Sequence, residues 1–159
     1  VRYEANKGYF VGEITESEVR QLYQAREALE VFIIPSVIQN ITAKDIKKIQ
    51  KDFGERKEER LSRREMILDD TRFHLAIVRH ARNEVIYNLL ESISEQVYLK
   101  YRPEYLDDSR IKEVVGEHAE LLKHLTDGNT DEAINMVRHH IRSGLDYVIK
   151  SIRTERLGF

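Results

Sequence analysis

The sequence predicts an all-α fold: an antiparallel bundle of about six helices, with a short β-hairpin remnant at the N-terminus. Three observations point there. Only two prolines and seven glycines interrupt 159 residues, so few positions break a helix. From Thr15 onward, apolar side chains recur three and four residues apart, the period of a helix with one buried face. Between these runs lie cap and turn residues rather than alternating β-formers.

Composition also narrows function. A chain of this length buries a core without staples, and it has no cysteine, which removes disulfides and thiolate metal sites. A net charge of −2 gives no general pull toward nucleic acid or anionic membrane. The longest apolar run, Val31 to Ile34, is far too short to span a bilayer, so no membrane partner is expected. The start has neither an initiator Met nor the apolar core of a signal peptide, so the chain reads as a piece of a longer cytoplasmic protein.

The first residues differ from the rest. Asn6-Lys7-Gly8 followed by Tyr9-Phe10-Val11 is a turn flanked by β-formers, open to reading as a hairpin or as a frayed tail. Thr15 with Glu18 makes a capping box, with Ile14 in the staple position. Val19, Leu22, Arg26, Leu29 and Ile33 form the stripe of a first helix, which Pro35 should kink or end. Thr42 and Asp45 open a second helix carrying Ile46, Ile49 and Phe53. Residues 54–65 are almost all charged with mixed signs, a solvated helix surface or connector rather than a nucleic-acid patch. A third helix spans about Met66 to Arg82, and a fourth starts near Asn83 and is closed by Pro103. Asp107 or Asp108 can cap a fifth, ending at Asp127-Gly128-Asn129, and Thr130 opens a sixth that runs to about Arg153.

Sorting the six histidines by helical face gives the first hint of chemistry. Asp70 and His74 lie on the apolar face of the third helix with Phe73, Ile77 and Ala81. His118 falls in the stripe of the fifth, and His140 in that of the sixth. His80, His124 and His139 sort with charged residues, and Glu117 and Glu120 sort outward with His124. One inward imidazole is ordinary. Four inward polar groups without a shared purpose are costly, at about 1–3 kcal/mol for each unpaired one. His118 lies ten residues before Gly128 and His140 twelve after it, so in a helical hairpin they sit at one level. Asp70 and His74, one turn apart, can close on that point from a third helix. Three imidazoles and a carboxylate suit a divalent transition metal, with zinc, nickel and manganese among the candidates. A metal-free Asp–His network is the plainer alternative.

Three stretches resemble a known family. "LYQAREALE" (Leu22 to Glu30), "DDTRFHLAIVRHARNEVI" (Asp69 to Ile86) and "EHAELLKHLTDGNTDEAINMVRHHI" (Glu117 to Ile141) are similar to the effector (FCD) domain of the FadR-like subgroup of GntR-family bacterial transcription regulators. "ANKGYFV" (Ala5 to Val11) resembles the end of the winged helix-turn-helix domain that precedes it. The resemblance implies residues 1–14 as the end of that domain and linker, and 15–159 as the effector domain. It also implies a metal held by Asp70, His74, His118 and His140, a small carboxylate effector, a homodimer, and operator DNA bound through the absent N-terminal domain.

Arg26, on the stripe of the first helix, reads either as a contact to the effector carboxylate or as the ion-pair partner of Glu30 one turn on. Asn83 reads as a helix N-cap or, second, as a cavity residue. Tyr23, Tyr98, Tyr101 and Arg102 are unranked pocket candidates. The rival function is a metalloenzyme using three histidines and one aspartate to activate water. It is disfavoured because no further inward carboxylate is visible to act as general base. A metal-stabilised bundle with no effector is a third reading.

Overall fold

A computed structural model of the chain describes residues 2–4, 8–10, 14–54, 63–100 and 108–156. It is all-α, with six α-helices among the described residues. These are α1 (Glu16–Asn40), α2 (Ala43–Ile49), α3 (Arg63–Val78), α4 (Glu84–Lys100), α5 (Asp108–Asp127) and α6 (Thr130–Arg156). Two three-residue strands, β1 (Arg2–Glu4) and β2 (Gly8–Phe10), pair antiparallel ahead of them. The residues joining these strands lie outside the described ones, as do most of the charged stretch 54–65, Tyr101, Arg102, Pro103 and Asp107.

Local chemistry sets the helix starts. Thr15 Oγ1 accepts from the Glu18 N–H at 3.2 Å, and the Glu18 carboxylate meets Lys100. Thr42 and Asp45 make both halves of a capping box, at 3.3 Å and 3.0 Å. Asn83 Oδ1 caps α4, accepting from Ile86 N–H at 3.1 Å. α2 continues as a π-helical turn, Gln50–Gly54, which carries Phe53 into the core.

Two ends differ from expectation. Pro35 does not end α1, which runs on to Asn40. An interior proline costs about 3 kcal/mol. Ile33, Ile34 and Val37 are fully buried around it, each contributing about 1.5–3 kcal/mol, and Pro35 itself faces solvent, so burial outweighs the lost hydrogen bond. The third helix stops at Val78 rather than Arg82. A 3-10 turn, Arg79–Ala81, tightens its end, and Arg82 adopts a left-handed φ of 56°.

Ion pairs mark the helix directions. Glu16 meets Arg153 and Glu27 meets Arg142, so α1 and α6 run antiparallel. Arg26 meets Asp70 and Glu30 meets His74, each pair 44 residues apart, so α1 and α3 run parallel. The core lies between them, with Phe73, Ile33, Ile77, Leu121, Ile141 and Val137 fully buried.

The α5–α6 hairpin sets the height of two histidines. Gly128 sits at φ 69°, with Asn129 N–H bonding His124 C=O at 2.9 Å and Gly128 N–H bonding Leu125 C=O at 3.4 Å, a Schellman motif. A Cβ at Gly128 would meet nothing within 4 Å, so the site demands glycine for its backbone alone. Gly128→Ala is therefore expected to lower stability by about 1–2 kcal/mol in urea unfolding, the cost of placing an L-residue in the left-handed region.

Candidate metal centre

α3, α5 and α6 bring Asp70, His74, His118 and His140 together. One ligand-type atom from each lies within 4.8 Å of the others. Asp70 Oδ1 is 3.1 Å from His118 Nε2, 3.1 Å from His140 Nε2 and 3.8 Å from His74 Nε2. The rings of His118 and His140 are 4.9 Å apart, in keeping with their similar distances, ten and twelve residues, from the Gly128 turn. Phe73 stacks on His118 at 3.8 Å and meets His74 edge-on at 5.4 Å, which fixes both rings.

Two carboxylates that sequence reasoning did not place at this centre stand behind the imidazoles. Glu30 Oε2 is 2.5 Å from His74 Nδ1, and Glu117 Oε2 is 2.6 Å from His140 Nδ1. Each carboxylate accepts a hydrogen bond from the Nδ1–H of its imidazole, which leaves Nε2 as the ring atom facing the centre. Glu117 is a correction. Sorted outward with His124, its side chain is only 11% exposed. The flank of α5 that carries it packs on α6, so a residue beside the cavity stripe is still buried. Arg110, also buried, grips Glu117 through two hydrogen bonds of 2.8 Å and 3.1 Å. The repeat of Arg110 and Glu117 seven residues apart on one helix face was the available signal. His124 is likewise partly buried rather than outward. His139 is exposed, as sorted, and His80 lies near Asp45 at 3.8 Å.

Arg26 makes the Glu30 ion pair of its second reading. Its Nε donates to Glu30 at 2.5 Å, its Nη1 and Nη2 to Asp70 Oδ2 at 3.4 Å, and it lines the cavity beside the cluster. Asn83, by contrast, makes the N-cap of α4, its first reading, and is not among the residues that line this cavity. Tyr23 lines the cavity, whereas Tyr98 does not.

The electrostatics favour a charged carboxylate beside two rings, His74 and His118, that are held neutral. Burial alone would raise the Asp70 carboxyl, but His140, Arg26 and hydrogen bonds from His118 and His140 hold it well below the usual range. Burial would likewise raise Glu30 and Glu117; Arg26 and His74 hold the first at about 2, and His140 and Arg110 hold the second at about 2. Burial pushes His118 down to about 4 and lowers His74 as well. His140 goes the other way: burial opposes its charged form, but Asp70 and Glu117 outweigh it and raise its pKa.

His74 Nε2 is the test of fit. It is buried and has no hydrogen-bond partner among the described residues, while its Nδ1 is held by Glu30. A buried nitrogen left so costs about 1–3 kcal/mol, which a purely hydrogen-bonded Asp–His network does not repay. A cation at the meeting point of the four donors would satisfy it.

A cavity of about 180 Å³ opens beside the cluster. Asp70, His118 and His140 line it, and His74 closes the cluster from behind. Glu30 and Glu117 are absent from its lining: they bind the far side of their imidazoles, so neither is placed as a general base on the cavity side.

Comparison with known proteins agrees with this architecture. The FCD domain family matches residues 21–143. The Nta operon transcriptional regulator of Aminobacter aminovorans is 27% identical over 151 residues, covering 94% of this chain and 70% of the relative. An uncharacterized HTH-type transcriptional regulator, YdhC, of Bacillus subtilis (strain 168) is 21% identical over 144 residues, covering 89% of this chain and 64% of the relative. Among solved structures, E. coli McbR/YncC superposes with a TM-score of 0.78 at 13% identity, covering 93% of this chain and 76% of that one. A GntR-family transcriptional regulator from Pseudomonas syringae pv. tomato str. DC3000 gives 0.73 at 18% identity, covering 99% and 66%. The chain belongs to the FCD-domain family.

Proposed function

We propose that this domain senses a small carboxylate at a divalent metal held by Asp70, His74, His118 and His140, and passes the signal to an N-terminal DNA-binding domain. The observation that carries the reading is the orphaned Nε2 of His74 at the meeting point of four donor atoms. Zinc, nickel and manganese all suit imidazole with carboxylate. When bound, such an ion supplies concentrated positive charge facing the cavity, where a carboxylate effector is attracted. Arg26, anchored by Glu30, adds a guanidinium to the same wall.

Residues 1–14 are read as the end of the winged helix-turn-helix domain and 15–159 as the effector domain, the paired strands β1 and β2 supporting the first assignment. No helix among the described residues is long and apolar enough to cross a membrane, in keeping with a cytoplasmic regulator. A homodimer would cover Phe32 and Val85, which are 71% and 69% exposed on the contacting helices α1 and α4. Phe32→Asp is expected to weaken self-association about tenfold or more in analytical ultracentrifugation.

Effector binding would favour one arrangement of the helices and so one placement of the attached DNA-binding domains. The test is to titrate organic acids against the full-length protein bound to operator DNA, with and without chelator. An unchanged response after chelation removes the metal from the switch. Glu117→Ala, which leaves all four ligands in place, is expected to lower metal affinity about 10- to 100-fold by competition titration, through loss of the carboxylate that orients His140.

A further inference from the structure

The cavity beside the metal cluster has a chemistry of its own. Away from Asp70, His118 and His140, much of its wall is hydrocarbon, including Leu22, Ile93, Val97, Ile111, Val114 and Val148. Its two arginines are both engaged. Arg26 is bonded to Glu30 and Asp70, and Arg110 to Glu117 and Glu113. Asp69, also on the wall, pairs with Arg72 at 3.7 Å.

A charge count over the buried groups follows. Arg26 and Arg110 face Asp70, Glu30 and Glu117, two cations against three anions. Glu113, which also bonds Arg110, is 62% exposed and screened by water, and Asp69 is offset by Arg72, so neither changes the buried balance. With the three imidazoles neutral, the protein side carries −1, and a divalent ion makes it +1. A single carboxylate cancels that charge. A second carboxylate on the same ligand would leave an unpaired anion against hydrocarbon, which is strongly unfavourable.

Size sets the other limit. An aliphatic and aromatic cavity of about 150 Å³ holds one benzene molecule. This cavity, at about 180 Å³, has room for a group of that order beside the carboxylate.

We infer that the pocket selects monocarboxylates bearing one compact apolar group, of about the size of a benzene ring, and rejects dicarboxylates. The inference rests on the proposed metal site and adds the ligand class to it. Polar hydroxy acids and short acids such as acetate bind weakly because they leave the walls uncovered.

The experiment is calorimetric titration of the full chain loaded with zinc, loading being verified by elemental analysis. The probes are acetate, benzoate, phthalate and benzamide. Benzoate is expected to bind on the order of 100-fold more tightly than acetate, with a more negative heat-capacity change, because the ring removes apolar wall from water. Phthalate and benzamide are expected to lose most of that affinity, the first through its extra charge and the second through its missing one. Zinc-loaded protein that binds phthalate as tightly as benzoate, or acetate as tightly as benzoate, overturns the inference and leaves the metal site standing. Benzoate binding that survives chelation unchanged also overturns it, because the carboxylate is then not held by the ion. A chain that takes up no stoichiometric metal removes the metal site itself, and the ligand class with it.

Discussion

Asp70→Ala is expected to remove most of the rise in unfolding temperature that divalent metal gives this domain. In the unaltered chain, ligand linkage adds about 4 kcal/mol when free metal exceeds its dissociation constant a thousandfold. For a domain of this size that corresponds to a rise of roughly 8–16 °C, since 1 kcal/mol moves the midpoint by about 2–4 °C. Asp70 is the one anion among the four proposed ligands. Its Oδ1 lies 3.1 Å from both His118 and His140, and its Oδ2 faces Arg26. Alanine removes a donor and the negative charge that offsets the cation, and it leaves the Arg26 guanidinium next to the ion with only Glu30 against it. Four-ligand zinc sites bind with about 10–16 kcal/mol, so one ligand in four accounts for a loss on the order of 100- to 1,000-fold in affinity. The check is thermal unfolding of both proteins in chelator and in a series of zinc concentrations. Equal metal-induced shifts in the two would show that Asp70 is not a ligand.

Phe73→Ala is expected to cost about 3–5 kcal/mol, a large share of the 5–15 kcal/mol that holds a typical domain folded. Phe73 is 1% exposed and is among the largest fully buried side chains. It packs edge-on against Phe53 at 5.8 Å and face-on against His118 at 3.8 Å. The substitution therefore opens a cavity between the π-helical turn and α3 and unpins one imidazole. Urea unfolding measures the first effect, and metal titration of whatever remains folded measures the second. Phe73→Leu, which keeps most of the volume, should lose much less stability while still loosening His118. A loss below about 1 kcal/mol for the alanine variant would mean that the site collapses around the gap.

The helices and their starts were legible in the sequence because both depend on neighbours in the chain. Thr42 and Asp45 cap each other across three residues, and Gly128 reverses the chain because its own backbone tolerates a positive φ. The inward cluster was legible for a related reason. Helical periodicity fixes which face a residue occupies, and counting from one turn fixes its height, so Asp70, His74, His118 and His140 could be brought to one place without coordinates. The reach of α1 past Pro35 was not, since it depends on what Ile33, Ile34 and Val37 bury themselves against.

The sequence by itself determined an all-helical chain and the four side chains that converge. Only the tertiary structure decided which carboxylates support them. Glu30 and Glu117 sit beside the apolar stripes of their own helices, and helical periodicity assigns such flanking positions to solvent or to a neighbour with equal ease. α1 packing parallel to α3 turns Glu30 onto His74, and α5 packing against α6 turns Glu117 onto His140. A face is a property of one helix, whereas a flank is buried or exposed according to the helix that lies next to it.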